Sequence, residues 1–176
     1  MSVVSKGISF PKLQLLDMFD HMTWADAEVW KAVESAIAAP TDEQLHRYLA
    51  HVHLVQRAFL DAWTGAPPVW REPSQFPDLA AVHAYSAPYY AEARAFLEAM
   101  DESLLVDPII LPWSSYMERE LGRTINNPTL GETVMQVIMH SGYHRAQANA
   151  RLRAIGAKPP LVDYIAWIWF GRPSAT

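Results

Sequence analysis

Apolar residues recurring every three and four positions, in stretches that end on proline, dominate this chain and commit it to helices. The first stretch predicts a helix from Pro11 to about Ala38, with Ser9 or Phe10 ahead of a proline at the first helical position. Leu13, Leu16, Phe19, Trp24, Val29, Val33 and Ile37 carry its period, and Pro40 ends it. Thr41-Asp42-Glu43-Gln44 has capping-box form and opens a second helix to about Trp63, closed by Gly65 and Ala66-Pro67-Pro68. Residues 66–86 hold four prolines and little periodicity, which reads as a connecting loop. Pro88 then starts a shorter third helix that ends near Met100. Leu104–Trp113 is apolar but broken by Pro108 and Pro112, so it is either extended loop or a short edge strand. Ser114–Pro128 is polar, and Gly122 with Asn126-Asn127-Pro128 gives a turn signal. Thr129-Leu130-Gly131-Glu132 is a second capping-box match. It opens the clearest helix, which runs to Gly156 with Arg151 and Arg153 complementing its dipole. Pro159-Pro160 stop the chain again, and Leu161–Phe170 should dock as a final helix or turn. Four main helices with an irregular insert before the fourth argue for an all-α four-helix bundle forming one domain over residues 1–176.

Composition narrows the function classes. A chain of 176 residues with 51% hydrophobic and 19% charged residues builds a core without staples and is neither disordered nor a solvated coiled coil. The absence of cysteine removes disulfides, Cys-ligated zinc, iron–sulfur clusters and any Cys nucleophile. Lys and Arg number 14 against 19 Asp and Glu, the wrong balance for a nucleic-acid track. The stretch from Met1 to Phe10 lacks the apolar core of a signal peptide, and no uncharged apolar run approaches the ~18 residues of a membrane span. A cytoplasmic protein without nucleic-acid or membrane partners is expected.

His140 and His144 stand four apart on the last long helix, separated by roughly 40° around its axis, so both imidazoles can face one point. That geometry suits a divalent ion. Ser141 stands where a zincin would place glutamate, so the zincin reading fails. A third ligand is offered by His46, His51 or His53 on the second helix. Leu45, Tyr48, Val52, Val55, Phe59 and Trp63 define an apolar stripe there. His51 lies roughly 80° from its centre and His53 roughly 120° away on the other side. Periodicity thus favours His51 as ligand, places His53 at a solvent or partner face, and leaves His46 facing solvent. His21, between Asp17 and Glu28 on its own helix, is either a salt-bridged surface residue or a group that supplies a proton or orders a metal's water. His83 carries no signal.

The run His140-Ser141-Gly142-Tyr143-His144-Arg145-Ala146-Gln147, followed by Leu152, Gly156, Pro159-Pro160 and Asp163, resembles the signature of the DinB/YfiT-like superfamily. Ala146 stands where the family most often has glycine. Leu49-Ala50-His51, followed by Phe59 and Gly65, is similar to the family's His-containing segment. Trp24-Ala25-Asp26 is similar to its Trp-Ala-Asn element, with His21 at a position often filled by an aromatic residue. The resemblance implies a four-helix bundle that binds one divalent metal through His51, His140 and His144, commonly as a homodimer. It also implies thiol-dependent transferase or isomerase chemistry on a small-molecule substrate, with bacillithiol, mycothiol or glutathione as cosubstrate.

Three neutral imidazoles leave a divalent charge uncompensated and a position open, which acidifies water towards pH ~7 or deprotonates a thiol. Either serves as nucleophile in place of the missing cysteine, so a thiol-dependent S-transferase and a hydrolase are both consistent with the residues. Zn or Ni suits the donors best, with Fe, Mn and Co also compatible. A non-catalytic helical binding module with a structural or vestigial metal is the alternative. His21 is the candidate catalytic helper. Gln147 and Arg151 are placed to line the approach to the metal, Arg145 to bridge helices, and Trp113 and Tyr116 to cover the pocket.

Overall fold

Pro11, extended and without an N–H to satisfy, offers its carbonyl to the amides of Gln14 and Leu15 and so starts α1 (Lys12–Ser35) as the cap rather than the first helical residue. The computed structural model describes residues 10–175. The readings of Ser9 as a cap and of the leader-free start, and both ends of the 1–176 domain span, lie outside those residues. The second helix, α2 (Glu43–Thr64), is capped by Asp42 and not by Thr41. The Asp42 carboxylate accepts the Leu45 N–H at 2.8 Å, while Thr41 closes a 3₁₀ turn, Ala39–Thr41. A carboxylate is the stronger acceptor. Gly65, at φ 70°, ends the helix in the left-handed region that costs glycine least.

The largest correction concerns α3 (Leu79–Ala99), which begins nine residues before Pro88 and runs through it. Asp78 caps it by accepting the Ala81 N–H at 2.8 Å. The alanines at 80, 81, 84 and 87 carry strong helix propensity. Pro88 and Ala84 both lie on the exposed face, where water meets the carbonyl that the missing N–H leaves free. The loop reading therefore holds only to Asp78. Beyond α3, Glu102–Val106 is a 3₁₀ turn. Of the segment expected as loop or strand, residues 107–113 are loop, with one isolated bridge between Pro108 and Thr129. The polar stretch expected as a turn contains an eight-residue helix, α4 (Ser114–Leu121), with no buried residue to betray it. The second capping box is present as read: Thr129 Oγ1 accepts the Glu132 N–H, and Glu132 accepts the Thr129 N–H. It opens α5 (Leu130–Ala154). The final apolar segment is α6 (Tyr164–Trp169). The described residues are all-α.

α1 packs against α3 and α5, and α2 packs against the same two helices. Their shared core is split. One apolar cluster joins Leu15, Phe19 and Met22 of α1 to Phe59, Trp63, Tyr89, Leu97 and Val137. A second joins Val29, Trp30 and Val33 to Leu45, Leu49, Val82, Ala148 and Leu152. Each Val, Leu, Phe or Met side chain among them stabilises the fold by about 1.5–3 kcal/mol on full burial. Between the two clusters, every long helix contributes a polar residue to a common waist: Asp26, Gln56, Tyr90 and Ser141. The metal-ligand candidates stand at the level of this waist.

Candidate metal centre

His140 and His144, one turn apart on α5, meet His51 from α2. One ligand atom of each lies within 4.8 Å of the others. Ring centroids are 4.4 Å apart for His140–His144, 4.6 Å for His51–His144 and 5.3 Å for His51–His140. The facing Nε2 atoms of His140 and His144 are 3.1 Å apart. Tetrahedral coordination with metal–nitrogen bonds of about 2.0–2.1 Å sets ligand nitrogens about 3.3 Å apart, so the pair needs little adjustment to hold an ion. His140 Nδ1 is buried without a hydrogen-bond partner. Burial, with the neighbouring imidazoles adding to it, pushes His140 down to about 4. The same two causes, burial first and then His144, lower His51. Both are held in the neutral form, which carries the lone pair that a cation needs.

His53 is where the sequence reading fails. Expected at a solvent or partner face, it is 2% exposed and both ring nitrogens are engaged. The Trp30 indole N–H donates to His53 Nε2 at 3.0 Å, and His53 Nδ1 lies 2.8 Å from Gln56 Oε1. An indole is a donor only, so His53 Nε2 must accept and Nδ1 must carry the proton. Gln56 then donates through Nε2 to Asp26 Oδ2 and to Ser141 Oγ, each at 3.0 Å. Asp26 also accepts from Tyr90 Oη at 3.1 Å and from Arg145 Nη1 at 2.6 Å. The Asp26 and Arg145 side chains are 7% and 9% exposed, so each neutralises the other's buried charge. Burial lowers the pKa of His53. The apolar stripe misplaced the buried face of α2 because that face includes polar groups whose partners come from two other helices, α1 and α5.

The other histidines stand apart from the cluster. His21 Nε2 donates to the Val162 carbonyl at 2.9 Å, its ring packed edge-on against Tyr164. It fastens the C-terminal segment to α1, and burial lowers its pKa. Its neighbours Asp17 and Glu28 are occupied elsewhere, Asp17 by Tyr164 and Arg172, Glu28 by Lys31. His46 is half-buried, not solvent-facing, with an unpartnered Nε2. His83 stacks on Trp30 and pairs with Glu34. Arg151 does not line the metal approach: it makes three hydrogen bonds to Asp42. Arg145 bridges helices as read. Trp113 packs on Phe59 and Trp70.

A model of the DinB family matches residues 12–173. The chain belongs to the DinB family. No curated protein matches it at a significant level. In this DinB chain the histidine trio that the resemblance implied is brought together, and the cluster is of a kind that could hold a metal ion. Sequence reasoning passed over Gln56 and Tyr90. A polar residue seven positions from Leu49 on the buried face of α2 was the available signal for Gln56. No helix among the described residues is long and apolar enough to cross a membrane.

Proposed function

We propose that this chain is a one-domain four-helix bundle whose His51, His140 and His144 hold a divalent metal ion, and that it is a metal-dependent enzyme, a thiol-dependent S-transferase or a hydrolase. The observation that carries the reading is the convergence of three imidazoles from two helices, with the Nδ1 of His140 buried and without a hydrogen-bond partner. A divalent cation there supplies Lewis acidity that makes water or a thiol nucleophilic at neutral pH. The protein's own part is to keep His51 and His140 neutral and to aim all three rings at one point. All three are only half-buried, which leaves a side for a small substrate. Tyr143, 63% exposed and edge-on to His144, stands at that rim.

Metal analysis of purified protein beside His51→Ala tests the ligand set. About one equivalent in the parent and a sharp loss in the variant is expected; equal content overturns it. Turnover of electrophiles with bacillithiol, mycothiol or glutathione separates transfer from hydrolysis. The role in turnover expected for His21 belongs to the same proposal. A His21→Ala variant that keeps metal and loses turnover supports it, and one that keeps both leaves His21 as the tether of Val162. The homodimeric, cytoplasmic state is likewise proposed, with light scattering as the check on the dimer. One observation favours a non-catalytic module with a structural metal. The cavity that His144 shares with Asp26, His53 and Arg145 holds about 10 Å³, room for a single water.

A further inference from the structure

The waist and the histidine trio use the same local device twice. On α2, His53 is followed three residues later by Gln56. On α5, His144 is followed three residues later by Gln147. In both, the imidazole Nδ1 meets the glutamine Oε1 of the next turn, at 2.8 Å in the first pair and 2.7 Å in the second. The first pair has its proton positions forced by chemistry. Trp30 can only donate to His53 Nε2, and the Asp26 carboxylate can only accept from Gln56 Nε2, so Nδ1–H donates to Oε1. The second pair has the same spacing and contact, but no indole occupies its far nitrogen. His144 Nε2 instead faces His140 Nε2.

We propose that Gln147 is a positioning residue for the metal centre. By accepting the Nδ1–H of His144 it fixes the tautomer whose Nε2 lone pair is presented to the ion. The inference rests on the metal-binding reading above and assigns Gln147 a role other than lining the approach to the ion. Of the three rings, only His144 has a hydrogen-bond partner outside the trio among the described residues. The orientation of the whole set therefore starts from this one contact. Gln147 Nε2 also donates to Tyr143 Oη at 3.3 Å, so both ends of the amide are engaged when its carbonyl faces His144. The reverse orientation would place the imidazole proton on Nε2, between the two facing nitrogens, and block coordination there.

Two measurements test this on the full chain. Zn²⁺ affinity is measured by competition with a chromophoric chelator for the parent, Gln147→Met and Gln147→Glu. Methionine has similar length and no comparable acceptor, and should weaken Zn²⁺ binding about 10–100-fold at unchanged stoichiometry. Glutamate restores an acceptor and should return most of the affinity. Equal affinity of the parent and Gln147→Met overturns the assignment. Long-range ¹H–¹⁵N correlation of the Zn-free parent reads the tautomer directly, with His53, whose partners require the Nδ1–H form, as an internal comparison. The Nδ1–H form at His144 is expected, and an Nε2–H form overturns the proposal even where every variant folds poorly. A parent that binds no Zn²⁺ refutes the metal reading and this role with it, whereas Zn²⁺ binding at equal affinity in Gln147→Met refutes this role alone.

Discussion

On α2 both ring nitrogens of His53 are taken, one by the Trp30 indole and one by Gln56, whereas His51 two residues earlier lies against His140 and His144. The difference makes a direct prediction. His53→Ala should leave metal stoichiometry unchanged, because a nitrogen already accepting an indole proton offers nothing to a cation. It should cost about 2–4 kcal/mol in urea unfolding, since it opens space in the core and leaves the Trp30 N–H and Gln56 Oε1 unsatisfied. Loss of metal from this variant would place the ligand at the wrong histidine. The choice between these two residues was legible for His51, whose register agrees with the family segment and with the apolar stripe. The burial of His53 was not. A histidine goes inside only where donors and acceptors await it, and those come from residues 23 positions before it and 3 after it, invisible to the period of one helix.

At the scale of elements, the first turn of α2 and the last turns of α5 are joined through Asp42 and Arg151. Asp42 caps α2 while receiving three guanidinium hydrogen bonds. Those bonds first, then the Leu45 amide, hold its carboxyl below the usual aspartate range against the opposing effect of burial. A folded pKa below the unfolded one means the stabilisation is fully present above the ordinary carboxylate range. It is lost as pH falls through the folded value. Asp42→Ala should therefore lose about 1–2 kcal/mol near neutral pH, the worth of a cap. The gap to the parent should narrow at about pH 3, below the ordinary aspartate pKa; a gap independent of pH in urea titrations would refute the ionic part. Elements with a long apolar period and a cap were legible from the sequence, as α5 shows. Those that failed did so for local reasons. Pro88 imitates a helix start because proline is favoured there, yet an alanine-rich segment tolerates it on an exposed face. α4 is short and buries nothing, so hydrophobic periodicity had no purchase on it.

For the whole molecule, the proposed metal would tie α2 to α5 at the waist, adding a crosslink that only the folded chain provides. Stability then depends on ion concentration. With free Zn²⁺ at about 100 times its dissociation constant, the folded state gains about 2.7 kcal/mol, a rise of about 5–10 °C in Tm for a chain of this size. Chelation should reverse it and His51→Ala should abolish it in thermal melts. An ion-independent Tm in the parent would contradict a folded-state site. The all-α class followed from periodicity because four long amphipathic stretches leave little else to build. The waist did not, since it is a property of four helices in register.

That waist also divides the interior. The apolar cluster around Phe19, Trp63 and Tyr89 and the one around Val33, Leu49 and Leu152 are insulated by a layer whose hydrogen bonds are directional and break together. An opening that frays one end of the helices meets this layer before it reaches the other core. Backbone amides should accordingly exchange with solvent in two families, one for each end, with the slowest protons at the Asp26, Gln56 and Ser141 level where both openings must stop.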